Sequence, residues 1–449
     1  MQQWSMQEWS RRYCQEAIRP GSGGGQGVDT IEKCQQTSES PRTPDRNQAI
    51  ETGMILLEGM ILLDNGPSTQ SRLAYDQPRS VYVHVPFCRH RCGYCDFSLV
   101  ADRDDLIERY FAAMERELTR LPATLTIDTL YLGGGTPSHL GPEGLTRLFA
   151  MLYTKLRPEP RAEITIEANP SDVSLALADA ALACGVSRVS LGSQSLAAAT
   201  LLSLDRDHTP EDVRQAVATL LKAGLTVSAD LMIAAPGQSL DDVCCDIAAV
   251  ASLGVHHVSV YCLTWEKGTR FESLQKKGLL HGAEESLERA MFEATIDSLA
   301  AEGFEHYEVS NFAKLGYRCR HNETYWDCRP WEAFGPGAAR FDGRQRTTNH
   351  RSTTGWMTRV LEGIDFAGDR DTMTPREAAQ ERVVLGLRRR DGLQRQAFAA
   401  SSGFSLDLIA GEAIARWVAS GHATDDGERV RLSREGLLVS DTLWKEVLE

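Results

Sequence analysis

The stretch Tyr82-Val83-His84-Val85-Pro86-Phe87-Cys88-Arg89-His90-Arg91-Cys92-Gly93-Tyr94-Cys95 decides the fold of this chain. Its β-branched and aromatic start predicts a strand, and three cysteines follow within eight residues. The chain has 449 residues and 11 cysteines, and its N-terminus lacks the pattern of a secretory signal. Cysteines crowded in this way favour a metal site over a disulfide framework.

The spacing Cys88-x-x-x-Cys92-x-x-Cys95 favours an iron-sulfur cluster. A cubane cluster held by only three thiolates leaves one iron open to an outside ligand. Zinc is the rival metal, but a structural zinc site closes its tetrahedron with a fourth ligand. His84 lies in the predicted strand and His90 lies between two ligands, so neither has the usual spacing for zinc. Unliganded core cysteines are the remaining alternative.

A strand-then-helix rhythm begins near residue 79 and continues to about residue 302. Short β-branched runs end in Gly, Asn or Pro and are followed by amphipathic stretches rich in Ala, Leu and Glu. The predicted strands are 81–85, 129–132, 163–167, 188–191, 226–231 and 257–262. The predicted helices are 105–120, 142–156, 172–184, 210–223, 240–253 and 284–301. Six such units indicate an α/β fold with a partial (β/α)6 barrel, whose reactive groups collect at the carboxyl ends of the strands.

The remaining segments complete the predicted domain organisation. Residues 1–76 are rich in Gly, Gln, Ser, Thr and Pro without sustained periodicity, and we expect a disordered extension. Residues 77–305 form the barrel, and 306–374 an aromatic and Gly-rich connecting segment. Residues 375–449 are expected to form a smaller α+β domain of helices, with a hairpin at 425–432 as in winged-helix-like endings.

Composition excludes several classes of function. The formal net charge is −14 and no run of Lys and Arg stands out, which disfavours binding of nucleic acid through phosphates. No stretch approaches the ~20 apolar residues that span a bilayer. We therefore expect a cytoplasmic protein that does not span a membrane.

Together with Cys92, Tyr94 and Cys95, the segment from Tyr82 to Cys88 resembles the opening of the radical SAM proteins. The resemblance is to the group that contains HemN-type coproporphyrinogen III dehydrogenases and HemW-type heme chaperones, and it runs from about Val81 to Leu448. It implies a 4Fe-4S cluster whose open iron binds S-adenosylmethionine. It also implies a reductant for the cluster, because one electron then cleaves a C–S bond to give a 5′-deoxyadenosyl radical.

The resemblance also assigns residues around this cofactor. It places Gly135 and Thr136, in Leu132-Gly133-Gly134-Gly135-Thr136-Pro137, against S-adenosylmethionine, together with Tyr82 and Tyr94. The other predicted binding residues are Glu167, Gln194, Arg206 and Asp230. A tight turn is the alternative for the glycines, a cap or ion pair for Glu167, and a structural pair for Asp230 and Arg206. In the dehydrogenase branch, the positions that correspond to Gln194, Arg206 and Asp230 serve a second S-adenosylmethionine.

Two functions remain open within this group. In the dehydrogenases another cysteine follows the third ligand by two residues, whereas this chain has Phe97, as in the chaperones. His321-Asn322-Glu323-Thr324-Tyr325-Trp326 matches a pattern of the chaperone branch. His321 is thus a candidate heme ligand, with Cys319 as a second candidate and a packed core histidine as the alternative. We expect a heme chaperone that hands heme to an unknown acceptor protein, with coproporphyrinogen III dehydrogenase as the alternative.

Two positions depart from the pattern of both branches. Ala234 stands where glycine is usual, and Ala339 where a polar residue is usual. The added methyl groups are expected to narrow the pocket.

Overall fold

The computed structural model describes residues 77–448, so the extension predicted at 1–76 lies outside the described residues. The strands are β1 (Ser80–Val85), β2 (Phe87–Cys88), β3 (Val100–Ala101), β4 (Leu125–Gly134), β5 (Leu156–Ala168), β6 (Arg188–Gln194), β7 (Thr226–Ile233), β8 (His257–Cys262), β9 (Glu305–Glu308), β10 (Asn311–Ala313), β11 (Trp331–Phe334), β12 (Ala339–Phe341), β13 (Gln345–Asn349), β14 (Ala367–Thr372), β15 (Leu393–Gln394), β16 (Ala423–Asp425) and β17 (Arg429–Leu432).

The helices alternate with these strands through the first half of the described chain. They are α1 (Ile107–Leu118), α2 (Gly141–Leu152), α3 (Leu175–Ala183), α4 (Ala198–Ser203), α5 (Pro210–Lys222), α6 (Leu240–Ser252), α7 (Arg270–Lys276), α8 (Glu285–Ala301), α9 (Arg320–Trp326), α10 (Thr353–Glu362), α11 (Pro375–Leu387), α12 (Arg395–Ser402), α13 (Leu406–Ala419), α14 (Arg434–Leu438) and α15 (Ser440–Leu448). All six predicted helices are present; α4 and α7 in the barrel and α9 and α10 in the connecting segment are additional.

Twelve strands form one sheet in the order β14-β13-β12-β11-β1-β4-β5-β6-β7-β8-β10-β9. The six predicted strands are confirmed as β1 and β4 to β8, and neighbours in this run pair in parallel. A seventh parallel strand, β11, pairs with β1 from the other side. The segment expected to connect two domains thus contributes β9 to β14 to the edges of the barrel sheet.

The alternation of side chains along β1 separates the core from the barrel interior. Val81, Val83 and Val85 are fully buried in the main apolar core, which also contains apolar residues of helices α1, α2, α5 and α6. Since successive side chains of a strand point to opposite faces, Tyr82 and His84 lie on the other face, inside the barrel. The carboxyl end of β1 leads directly into the cysteine segment.

Local sequence explains where several of these helices begin. Thr209 and Ser239 each accept a hydrogen bond from the backbone amide three residues on, and the carboxylates of Asp212 and Asp242 accept from the capping residues in return. These capping boxes satisfy amides that the first turn leaves without partners. They fix the starts of α5 and α6, both of which were predicted.

The C-terminal residues form helices around a small antiparallel sheet. The sheet has the order β15-β17-β16, and the predicted hairpin is present as the pair of β16 and β17. A second apolar cluster surrounds Trp417 and Trp444 and continues through Trp331 to Tyr82 and Tyr131 of the barrel. Among the described residues, no helix is long and apolar enough to cross a membrane.

Candidate functional site

One cavity at the carboxyl ends of the parallel strands gathers most of the predicted site residues. We call it the mouth cavity. Ten predicted residues line it: Cys88, Cys92, Cys95, Tyr94, Gly135, Thr136, Glu167, Gln194, Arg206 and Asp230. Tyr82 and His321 do not line the mouth cavity.

The cysteine segment is held as a defined loop by backbone pairing at its two ends. Phe87 and Cys88 of β2 pair in parallel with Val100 and Ala101 of β3. Inside the loop, the guanidinium of Arg91 donates to the carbonyl oxygens of residues 95, 97 and 99 at 3.1, 3.3 and 2.8 Å. Arg91 therefore organises the segment between the third cysteine and the return strand, a role that its sequence position did not reveal.

The three thiols lie in different local environments. The sulfur of Cys88 is 3.1 Å from the hydroxyl of Thr136, and Arg206 donates to the sulfur of Cys92 at 3.3 Å. Burial raises the pKa of the Cys88 thiol to about 12 and also raises the pKa of Cys95. The charge of Cys92 also acts to raise both pKa values. Binding of iron would replace these protons, because thiolates are the ligands.

Each glycine of the Gly133-Gly134-Gly135 loop makes room for a different neighbour. A Cβ at Gly133 would lie 2.8 Å from the carboxylate carbon of Glu167, and one at Gly134 would lie 2.4 Å from the ring of His84. A Cβ at Gly135 would lie 2.7 Å from the backbone oxygen of Phe87. The loop thus packs the barrel carboxylate and the cysteine loop against each other, which goes beyond the close ligand approach predicted from sequence.

Glu167 and Asp230 place two carboxyl groups inside the mouth cavity. Glu167 accepts from the amide of Gly134 at 2.9 Å and from the hydroxyl of Tyr131 at 3.0 Å, while Ser190 donates to both oxygens of Asp230. Burial, reinforced by the charge of Asp230, raises the pKa of Glu167 to about 7. Burial also raises the pKa of Asp230 to about 6. Because burial makes the ionised form of both carboxyl groups unfavourable, a ligand that carries positive charge would stabilise them, and the pair favours such a ligand.

The side chain of Arg206 also lines the mouth cavity and is held there by hydrogen bonds. Its Nη2 donates to the carbonyl oxygen of Gly192 at 3.1 Å and lies 3.4 Å from Nδ1 of His208. His208 in turn lies with Nε2 2.9 Å from the carbonyl oxygen of Ser193. Because a carbonyl only accepts, Nε2 carries the proton and Nδ1 accepts from Arg206. His208, which the sequence did not single out, therefore positions Arg206.

Gln194 ends β6 with strained backbone. Its φ of 60° lies in the left-handed region that favours glycine. Such strain is concentrated at functional sites, where the surrounding structure holds it in place. Gln194 also lines the mouth cavity.

Tyr82 lies deeper in the barrel and reaches the cysteine loop through His84. Its hydroxyl is 3.1 Å from Nδ1 of His84, and Nε2 of His84 is 2.7 Å from the carbonyl oxygen of Ser98. The carbonyl requires the proton on Nε2, so Tyr82 donates to Nδ1. Burial lowers the pKa of His84 to about 4, which keeps this neutral form at physiological pH.

His321 is sealed at the opposite end of the barrel. It is 1% exposed, and its Nδ1 and Nε2 lie 2.8 Å and 2.9 Å from the hydroxyls of Thr129 and Tyr325. Burial lowers the pKa of His321 to about 3. Glu163 accepts from the backbone amide of His321 and from the thiol of Cys319. In this structure both ring nitrogens of the predicted heme ligand are occupied, which favours the packed histidine.

The mouth cavity suits a polar cofactor. Within the described part of the chain, two buried polar atoms of its lining have no hydrogen-bond partner, Oδ1 of Asn169 and Nε of Arg206. Buried polar groups of this kind are normally paired, so they mark positions for a ligand. Among residues 77–448, no three His, Cys, Asp or Glu side chains converge closely enough to hold a single metal ion. A cubane does not need such convergence, because each of its three thiolates binds a different iron.

The cavity also includes residues that sequence reasoning missed, and it omits the two alanines that were expected to narrow it. Ser190, Met232 and Tyr261 line it from strands β6, β7 and β8. Ala234 and Ala339 are 2% and 0% exposed and do not line it, so their methyl groups do not narrow this pocket as expected. Ala234 has a φ of 61°, which explains why glycine suits that position.

Comparison with known proteins agrees with this architecture. The Radical SAM superfamily profile matches residues 82–244, and the HemN C-terminal domain profile matches residues 373–439. The heme chaperone HemW of Bacillus subtilis is 32% identical over 372 residues, which cover 82% of this chain and 98% of the relative. The heme chaperone HemW of Mycobacterium tuberculosis (strain H37Rv) is 35% identical over 383 residues, covering 83% and 95%.

Among solved structures, coproporphyrinogen III oxidase (HemN) of Escherichia coli superimposes with a TM-score of 0.74 at 20% identity, over 82% of this chain and 90% of that one. This likeness shows a shared fold. The identity and coverage of the HemW relatives show the family. The chain therefore belongs to the HemW family of the radical SAM superfamily.

Proposed function

We propose that this protein is a heme chaperone, which binds heme and transfers it to an acceptor protein while carrying a 4Fe-4S cluster and exchangeable S-adenosylmethionine. The observation that carries the proposal is the likeness to proteins named heme chaperones along nearly their whole length. Phe97 supports the proposal. By resemblance, the dehydrogenases of the group have a cysteine at this position, whereas the chaperones do not. The acceptor and the reductant are partners still to be identified.

The mouth cavity supports the cofactor part of the proposal. Cys88, Cys92 and Cys95 would hold the cluster, and their loop opens toward Gly135 and Thr136. When bound, the cluster and S-adenosylmethionine supply one-electron chemistry and cleavage of a C–S bond. Glu167 and Asp230 offer acceptors for an ammonium group and for ribose hydroxyls. Arg206 and Gln194 offer donors to a carboxylate.

Anaerobic reconstitution of the full chain tests this function. Iron and sulfide analysis should give one 4Fe-4S cluster per chain, and titration with hemin should give stoichiometric binding. The matched control is the variant in which Cys88, Cys92 and Cys95 are all replaced by alanine, because it lacks the ligands but keeps the barrel strands. Robust conversion of coproporphyrinogen III to protoporphyrinogen IX would contradict the chaperone proposal and favour the dehydrogenase.

We also propose a cytoplasmic location, in keeping with the bacterial relatives. Fractionation of cells that express the full chain tests it. Recovery with the membranes or inside an organelle would contradict it.

A further inference from the structure

A second pocket lies on the outer side of the cysteine loop. We call it the outer pocket. It is lined by Arg91, by residues 96–100, by Lys267 and by residues 351–354. Asp96, Phe97 and Leu99 line both this pocket and the mouth cavity, so the two are separated only by the end of the cysteine loop. None of the predicted cofactor residues lines the outer pocket.

The outer pocket is cationic in a protein of net charge −14. Arg91, Lys267 and Arg351 line it, and among the described residues Asp96 is the only carboxylate in its lining. Asp96 lies 3.9 Å from Arg351 and partly offsets that charge. Arg91 donates to backbone carbonyl oxygens of the loop, which uses its hydrogen bonds without neutralising its charge. A net positive lining remains.

The start of helix α10 adds to this preference for an anion. Ser352 caps the helix by accepting from the amide of Gly355, and Thr353 is its first residue. The N-terminus of a helix carries partial positive charge and unpaired amides. Thr353 lines the pocket and is 4% exposed, yet its hydroxyl has no hydrogen-bond partner within the described residues. A buried hydroxyl of this kind marks a position for a polar group of a ligand.

We propose that the outer pocket binds a carboxylate of heme, so that the propionate edge is held by Lys267, Arg351 and Thr353. This inference rests on the proposed function. Heme carries two carboxylates on one edge of a flat apolar ring. Phe97 lines the outer pocket together with the cationic residues, and an aromatic side chain there suits the ring next to that edge. The cluster loop and the heme would then share Phe97 as a common wall.

Hemin and its dimethyl ester separate this proposal from heme binding in general, because the ester keeps the ring and iron and lacks both negative charges. Absorption titrations use the reconstituted full chain at low ionic strength. We expect hemin to bind about tenfold more tightly than the ester. Equal affinities would overturn the carboxylate site and leave the proposed function standing. Failure of both compounds to bind would overturn the proposed function, and this inference with it.

Two variants locate the contact within the outer pocket. Lys267→Gln should weaken hemin about fivefold and leave the ester unchanged. Lys277→Gln is the matched control, since Lys277 is exposed beyond the end of α7 and does not line the outer pocket. Thr353→Val should weaken hemin several-fold without lowering the thermal midpoint, because the Thr353 hydroxyl has no hydrogen-bond partner among residues 77–448. An unchanged affinity of both pocket variants for hemin would overturn the proposal.

Discussion

The Nη1 atom of Arg206 donates to the sulfur of Cys92 at 3.3 Å, while Nη2 of the same side chain donates to the backbone of Gly192. A buried cation is thus fixed against one predicted cluster ligand. Hydrogen bonds and positive charge near a cluster favour its reduced, more negative state. The position of this side chain therefore bears on the redox behaviour of the site.

The first prediction concerns Arg206→Gln. It should lower the midpoint potential of the reconstituted cluster by about 50 mV, which corresponds to roughly 1 kcal/mol for one electron. A redox titration followed by electron paramagnetic resonance measures it. Arg214→Gln on the surface of α5 is the control and should leave the potential unchanged. An unshifted potential in Arg206→Gln would show that the contact with Cys92 does not influence the cluster.

The second prediction concerns Gly133→Ala. The added Cβ would lie 2.8 Å from the carboxylate carbon of Glu167, so this side chain must move. We expect the affinity for S-adenosylmethionine to fall at least about tenfold and the free energy of unfolding to fall by about 2 kcal/mol. Equilibrium binding and urea denaturation measure the two effects. Gly411→Ala in helix α13 is the control, because the added Cβ would lie 3.3 Å from the Cβ of Asp407, and the expected change is within about 1 kcal/mol.

The third prediction concerns pH. The pKa of Glu167 is about 7 in the folded chain against an ordinary value of 4.5, so between these values the folded chain holds a proton that the unfolded chain has released. Its contribution to stability therefore falls as pH rises through this window. Between pH 5 and 7 the free energy of unfolding of wild type should fall because of this group. In Glu167→Gln the fall should be smaller by about 2 kcal/mol.

Denaturation of the cofactor-free protein at both pH values measures this difference. Glu302→Gln serves as the control, because Glu302 is exposed at the end of α8. Parallel pH profiles for wild type and Glu167→Gln would refute the raised pKa.

The fourth prediction separates the two roles considered for His321. His321→Phe removes the partner of two buried hydroxyls, on Thr129 and Tyr325, and should lower the free energy of unfolding by about 2 kcal/mol. The Soret band of bound heme should keep its position. His281→Phe, at an exposed histidine, should change neither quantity. A shifted Soret band in folded His321→Phe protein would instead support axial ligation by His321.

Local sequence was enough to predict much of the fold. Strands β1 and β4 to β8 are short apolar runs bounded by turns, and their helices have strong starts such as the capping box at Thr209. Strand β11 was missed because its four residues pair with β1, about 250 positions earlier in the chain. No local pattern encodes such a pairing, which depends on which sheet edge is free.

The candidate site was predictable to a similar degree. Cysteines spaced within one loop must lie near each other, and residues that end parallel strands must meet at one edge of the sheet. The residues that position them could not be predicted. His208 and Arg91 act through backbone carbonyl oxygens, whose positions only the folded chain defines.

The sequence by itself determined the cysteine loop after β1, the parallel order of the barrel and the family, because each depends on local spacing or on residue identity. Tertiary structure alone decided that Gly133 makes room for Glu167, that Arg206 contacts Cys92, and that both nitrogens of His321 are occupied. These are contacts between segments far apart in the chain. Burial and hydrogen bonding at these contacts depend on the packing of the whole sheet. For this reason His321, which the sequence suggests as a heme ligand, is part of the core in the structure.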